Sequence, residues 1–573
     1  MGIMHLDKHI SKGHDYYYVA QTLRTGKRVS KKRILYLGRL DNIDEIRRLE
    51  LERKIREMDL PGLISLFRSK LYSLGYRFPS LYSSFTVEEV HDLGLPLAFH
   101  KICEDIQFVD TINNYSPKGG GLSLGKLVEI MAIHRICDPG SLRSLTKWYP
   151  TTALPLYTGV HPEDITYDVI LNTLDYLQPE FTTQIQVDLY RNIRKVYGYE
   201  CERLDIDLSS TYFEGLKCII AKFGYSRDKR RDRPQVVIGF VVDQEGILVT
   251  HKTWPGNRTD AKSLKPLNLL LSDTFGLDCP RVVDRGMATY ENLKYLDRRK
   301  ERYLVALRAK VKSTGLLDEI KIPRSKWDEI YEGEFATSIV KGRRNYVINW
   351  NSSVAKKKRK QRNAKVRKAE IELKALQDRI SDGNIKSKEE RDEEIGYILK
   401  KYNVKTFLKI YRNNEGNGFT FDRSEKLSIK NKQEGYQVFV TTEKNLSPKD
   451  VVASYRQRDE VEKAIQVIKN VIEIRPMYVW TKEHVLGKIF ICAQSYQLRS
   501  VMGYILRQTD MNMSLNEAIW HLDRLKAVSI IATGDEVQVF RKITTMDKDQ
   551  IALIDIFDIK DRLSKYEMGD GGI

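Results

Sequence analysis

The 573-residue sequence predicts an α/β fold: a mixed sheet with helices, preceded by a mainly helical region and interrupted late by an insertion. Three stretches carry that expectation. Leu204-Asp205-Ile206-Asp207-Leu208 alternates apolar and acidic residues, the two-residue period of a strand with both carboxylates on one face. Val236–Val242 and Gly246–Thr253 are apolar runs joined at Asp243-Gln244-Glu245-Gly246, as in an antiparallel hairpin. A helix over Asp260–Leu271 follows, then a strand Arg281–Val283 ending on Asp284, a helix Glu291–Arg298 and a strand Tyr303–Leu307.

Antiparallel strands followed by helix–strand–helix–strand describe a core of the ribonuclease H type, over residues 201–310 and 434–500. Residues 1–60 read as a basic β-hairpin: a strand at Tyr16–Val19, a turn at Thr25-Gly26-Lys27 and a strand at Ile34–Leu37, with a charged helix over Asp44–Met58. Residues 61–200 are helical in pattern, broken at Gly119-Gly120-Gly121, Asp138-Pro139-Gly140 and Tyr149-Pro150. Arg135, Arg143 and Lys147 make this region either a DNA-binding and dimerisation part or a bundle with a solvated basic face. Residues 311–433 form the insertion, strand-rich from Trp327 to Trp350, then a charged helical stretch Lys365–Lys401 hinged near Asp382-Gly383-Asn384. The strand Tyr436–Thr441 returns the chain to the core. Residues 501–573 give a helix near Leu515–Leu525 and two short strands, with no role assigned.

Charge narrows the partners. Ninety-six Lys and Arg against 77 Asp and Glu leave a net charge of +19, which favours polyanions. Membrane is disfavoured, because no run of about 18 apolar residues exists and the N-terminus lacks the apolar core of a signal peptide. The six cysteines are scattered singly, with no C-x-x-C pair, which argues against a zinc module and a disulfide framework and fits a reducing cytosol. A catalytic metal is therefore expected on oxygen ligands, as Mg²⁺ or Mn²⁺.

The most informative spacing is Tyr455, Arg458, Glu462 and Lys469. On one helix these offsets bring all four side chains within an arc of roughly 60°. Val461, Ile465, Ile468 and Ile472 gather on a separate stripe about 80° away, fit to pack on a core. A salt-bridged amphipathic helix is the plain alternative. Three carboxylates converging at one end of a sheet can hold two divalent cations about 4 Å apart, for attack on a phosphodiester. Asp207, Asp284 and Glu462 are the candidates, with Asp205 a rival on the same strand face and Asp459 and Glu460 rivals on the helix.

The run Tyr455…Arg458…Glu462…Lys469 resembles the YREK signature of the DDE transposases of prokaryotic insertion sequences, in the IS-four superfamily. IDLSSTYFEG (206–215) is similar to that group's first-Asp strand and singles out Asp207. VVDRGMATYENL (282–293) resembles its second-Asp block and singles out Asp284. Residues 224–249, 254–260 and 474–492 resemble its other segments, in the same order. Two positions depart from the pattern: Asp459 stands where Trp is usual, and Lys488 where His is common.

The resemblance implies a ribonuclease H-like, retroviral-integrase-type core with a β-rich insertion, in an enzyme that binds the terminal inverted repeats of its element. It implies metal-dependent strand cleavage and strand transfer, with Asp207, Asp284 and Glu462 as ligands of two divalent ions, Mg²⁺ or Mn²⁺. Tyr455, Arg458 and Lys469 would touch phosphates at the cleaved end, with Arg285 beside them. Partners would be double-stranded DNA, as transposon ends and target, and a second copy in a homodimer, with no membrane and no small-molecule substrate. The setting would be the cytoplasm of a prokaryotic cell, at the nucleoid. A nuclease of the same fold that does not join ends, and a domesticated DNA-binding protein without catalysis, are the alternatives.

Overall fold

The computed structural model describes residues 3–25, 28–58, 62–76, 84–116, 120–307, 316, 323–385, 387–413, 417–432, 434–533 and 537–568. Gly26, Lys27 and Gly119, on which two expected breaks fall, lie outside them. The chain forms two compact units: residues 1–90 with 528–542, and residues 91–527 with 543–573.

In the smaller unit the expected hairpin is present, as strands His14–Thr25 and Arg28–Arg39. A third strand, Ile3–Ser11, pairs with the first of these. The two-residue turn between them, Lys12-Gly13, has φ of 49° and 78°. Both residues are left-handed, the geometry that matches the twist of a hairpin and that glycine adopts without strain. Helices Glu45–Arg56 and Leu63–Ser73 complete the unit, and Tyr17, Val19, Leu51, Ile55, Phe67 and Leu71 share its core. Strand Lys526–Thr533 lies between Val537–Ile543 and Ser84–Asp92 in a separate three-stranded sheet.

The larger unit is built on a nine-stranded mixed sheet. Its strands in chain order are β1 (Leu204–Tyr212), β2 (Gln235–Asp243), β3 (Leu248–Pro255), β4 (Arg281–Val283), β5 (Tyr303–Ala306), β6 (Asp328–Tyr331), β7 (Glu334–Lys341), β8 (Arg344–Asn351) and β9 (Tyr436–Thr441). Across the sheet the order is β6-β7-β8-β9-β5-β4-β1-β2-β3. β1 pairs antiparallel with β2 and parallel with β4, and β4 parallel with β5. The expected hairpin and helix–strand succession are thus observed. The strands expected between Trp327 and Trp350 are β6, β7 and β8, and they join the same sheet through β9. β2 is buried along its whole length, as its unbroken apolar run requires.

The charged stretch that follows is a 30-residue helix, Ser352–Ser381, and a shorter one, Lys388–Lys401. With the hairpin Leu408–Arg412 and Phe419–Arg423 they enclose their own apolar cluster around Val366, Leu373, Ile395 and Ile398. The helices of residues 94–197 share one core with β1–β5 and with the helix Lys482–Arg507, which is buried over most of its length. Among the described residues no helix is long and apolar enough to cross a membrane.

Candidate active site

β1 and β4 are neighbouring parallel strands in which Ile206 stands opposite Val283. The next residue on each, Asp207 and Asp284, therefore leaves the pair at the same level. Parallel strands run about 4.8 Å apart, so this register alone brings two carboxylates that are distant in sequence side by side. Asp205, two residues earlier on the same strand face, is fully buried and paired with Arg203 at 2.9 Å. The strand alternation that made it a rival is real, and Arg203 takes one of its two oxygens, Oδ2.

Sequence spacing anticipates a single helix that carries Tyr455, Arg458, Glu462 and Lys469. The structure instead has two, α1 (Pro448–Arg456) and α2 (Asp459–Asn470), separated at Gln457-Arg458. At the break the N–H groups of Arg458, Glu460 and Val461 donate to the carbonyls of Tyr455, Gln457 and Arg458 at 3.3, 3.1 and 3.2 Å. These are three-residue bonds, tighter than the four-residue ladder of a continuous helix. The helix expected to be continuous is interrupted there, yet Tyr455 and Glu462 both still meet Arg458 across the break. Ser447 caps α1, its hydroxyl accepting from Asp450 N–H at 3.2 Å. Val461, Ile465, Ile468 and Ile472 pack on the main core as their stripe predicts.

Arg458 occupies the junction of these elements. Its Nη1 donates to Asp284 Oδ1 at 2.9 Å, and its Nη2 stands 3.5 Å from Asp207 Oδ1 and 3.4 Å from Glu462 Oε1. One guanidinium, 7% exposed, thus touches all three candidate carboxylates. Burial works against its charge, and Asp207 and Asp284 outweigh that, raising its pKa. Burial pushes Asp207 up to about 6, against the pull of Arg458. Burial also acts on Asp284, but the Gly286 N–H, donating at 2.8 Å, and Arg458 hold its carboxyl below the ordinary value. Gly286 lets the backbone come close to both acids: a Cβ there would sit 2.7 Å from Asp260 Oδ2 and 3.0 Å from Asp284 Oδ2, and those carboxylates would have to shift.

The remaining candidates are placed differently. Tyr455 packs against Phe439, with ring centroids 5.0 Å apart, and its hydroxyl accepts from Arg458 Nη1 at 3.3 Å. Lys469 is largely buried, its Nζ donating to Asp228 Oδ1 at 2.6 Å, and Arg475 reaches the same oxygen at 2.6 Å. Arg285 is exposed and lines a pocket of about 780 Å³ together with Tyr225, Arg227, Asn257, Asp284 and Arg458. Arg227 and its ion-pair partner Asp260 are site residues that the sequence reading passed over, as is Asp228. Asp228 carried a signal, being a lone acid in the basic run Arg227–Arg231.

The donor set suits a hard divalent cation, since all three groups are carboxylates. They also converge already on one positive charge, the Arg458 guanidinium, which stands where a cation is favoured. Among the described residues the group whose ligand atoms all lie within 4.8 Å of one another is a different one, His521, Asp547 and Asp549. There Asp547 is engaged as a helix cap, accepting from Gln550 N–H at 2.7 Å.

A family described as "Transposase DDE domain" matches residues 204–498, a span that contains every strand of the nine-stranded sheet and all three carboxylates. No curated protein matches the chain. Among solved structures, a piggyBac transposase in a synaptic complex with hairpin DNA, determined by cryo-electron microscopy, aligns with 11% identity and a TM-score of 0.35. The alignment covers 75% of this chain and 79% of that one.

Proposed function

The chain belongs to the DDE transposases, DNA-cleaving and strand-transferring enzymes that use divalent metal ions, and we propose that Asp207, Asp284 and Glu462 are its metal-binding catalytic carboxylates. The observation that supports this reading is their convergence on Arg458 from β1, the end of β4 and α2. A pair of divalent ions, Mg²⁺ or Mn²⁺, would supply activation of the attacking water or 3′-hydroxyl and stabilisation of the leaving oxygen.

The chain's own residues do the positioning. Arg458 neutralises the carboxylates and, with DNA present, offers its charge to a phosphate at the cleaved end. Tyr455 holds that guanidinium through its hydroxyl. Lys469 and the exposed Arg285 flank the site and contact the same strand. The core is of the ribonuclease H type, and the motif is the YREK signature of the IS-four superfamily. The substrates are the terminal inverted repeats of its own element and a target duplex, engaged by a homodimer with one subunit on each end. Residues 1–60 and 61–200 serve end binding and dimerisation, and the enzyme works at the nucleoid of a prokaryotic cell.

The test is substitution of each carboxylate. D207N, D284N and E462Q should bind end DNA normally and lose metal-dependent cleavage, while D205N keeps it. Normal cutting by E462Q would overturn the assignment. Joined products from a pre-cut end with a free 3′-hydroxyl test the strand-transfer step.

A further inference from the structure

A second basic pocket, of about 540 Å³, opens between the loop Gly140–Arg143, the segment Glu473–Val479 and the start of the helix Lys482–Arg507. It shares no lining residue with the pocket that holds Asp284 and Arg458. Resting on the reading of this chain as a transposase, we propose that this pocket seats a phosphodiester group of bound DNA, with Lys488, Arg143 and Arg475 as its cations.

Lys488 lines the pocket and is 5% exposed, with Pro476 O at 3.5 Å as its contact. Arg135 lies behind it, 2% exposed, donating to Gly140 O. Among the described residues no carboxylate stands within 4.0 Å of Arg135, Arg143 or Lys488. Burying an ammonium beside a second cation is costly unless an anion joins them. The strain shows in Lys488 itself, whose pKa burial and the Arg135 charge lower to about 8. Glu473 is the one acid on the lining, and it is exposed. Arg143 stands over the Tyr167 ring, its Cζ 4.6 Å from the ring centroid, and both residues line the pocket.

Two features favour a DNA phosphate over a free anion. The first is continuity with the active site: Arg227 lines the carboxylate pocket, and the adjacent Asp228 binds both Lys469 and the pocket's own Arg475. One carboxylate for two cations leaves surplus positive charge from Lys469 past Arg475 to Lys488. The second is the net charge of +19, suited to a long polyanion.

The experiment measures affinity for a mixed-sequence duplex against salt concentration, using the full chain. K488M and R143Q should each weaken binding about tenfold or more. Each should also lower the slope of log K against log salt by about 0.9 for the lost phosphate. K463M, at an exposed lysine paired with Glu460, should change neither. Without DNA, K488M should hold or raise Tm, because it replaces an unpaired buried charge by an apolar chain of similar size. Unchanged affinity and slope in both K488M and R143Q would overturn the proposal. So would stabilisation of the wild type, but not K488M, by inorganic phosphate while K488M binds DNA normally, since the pocket would then take a free anion. Failure of the carboxylate assignment shows separately, as metal-dependent cutting by D207N.

Discussion

Arg458 donates to Asp284 at 2.9 Å across 174 residues of sequence, from the break between α1 and α2 to the end of β4. That bond joins the two halves of the site. Replacing the cation, as in R458Q, leaves Asp207 and Asp284 facing each other without compensation. Asp207 titrates at about 6 with the guanidinium present, so its ionised form needs that partner at higher pH. Below about pH 5 Asp207 is protonated, and the loss shrinks. The Tm deficit of R458Q should therefore be larger at pH 8, about 3 kcal/mol of stability, than at pH 5. Thermal melts at the two values check it.

Asp228 compensates two cations at once, Lys469 and Arg475, and is itself 3% exposed. D228N should cost about 3 kcal/mol, because it strands charges away from water. E460Q removes an exposed partner of Lys463 and should cost about 0.5 kcal/mol or less. Denaturant unfolding of the two variants separates these outcomes.

His134 is buried, and burial with the neighbouring Arg135 pushes its pKa down from 6.5 to about 3. As pH falls below 6.5 the unfolded chain takes up a proton that the folded chain refuses. Stability is therefore lost on acidification, at up to about 1.4 kcal/mol per pH unit over that window. H134Q should flatten the dependence of Tm on pH between 6.5 and 5, relative to the wild type.

Gly256 lies between Lys222 and Gln235, where a Cβ would meet Gln235 O at 1.9 Å and Lys222 O at 2.3 Å. Both contacts are backbone, which cannot rotate aside. G256A should destabilise by about 1–3 kcal/mol or more and displace Asn257 at the pocket wall. Circular dichroism melts measure the first effect, and cleavage rates the second.

Much of the core was legible in the sequence because strand and helix periods are local. The alternation at 204–208 located β1 and put Asp205 and Asp207 on one face, and the apolar runs located β2 and β3. The resemblance of the motifs to those of a known family named Asp207, Asp284 and Glu462 as candidates. Other features depended on contacts between distant segments, which no local period encodes. The strands β6–β8 joined the main sheet because β9 pairs with both β8 and β5. Asp228, one acid in a basic run, acquired its role only when α2 brought Lys469 beside it.

Residues 455–469 divide most clearly between the two sources. The sequence by itself determined an amphipathic segment there, with an apolar stripe for the core and a set of polar groups away from it, because side-chain spacing follows from helical rise. Tertiary structure decided that the helix breaks at Gln457-Arg458 and that Arg458 faces carboxylates from two strands. A guanidinium buried at that point needs compensation, which Asp207, Asp284 and Glu462 supply, against the loss of one turn of regular helix. Such a trade depends on which charges the fold brings within reach, and only the folded chain sets that.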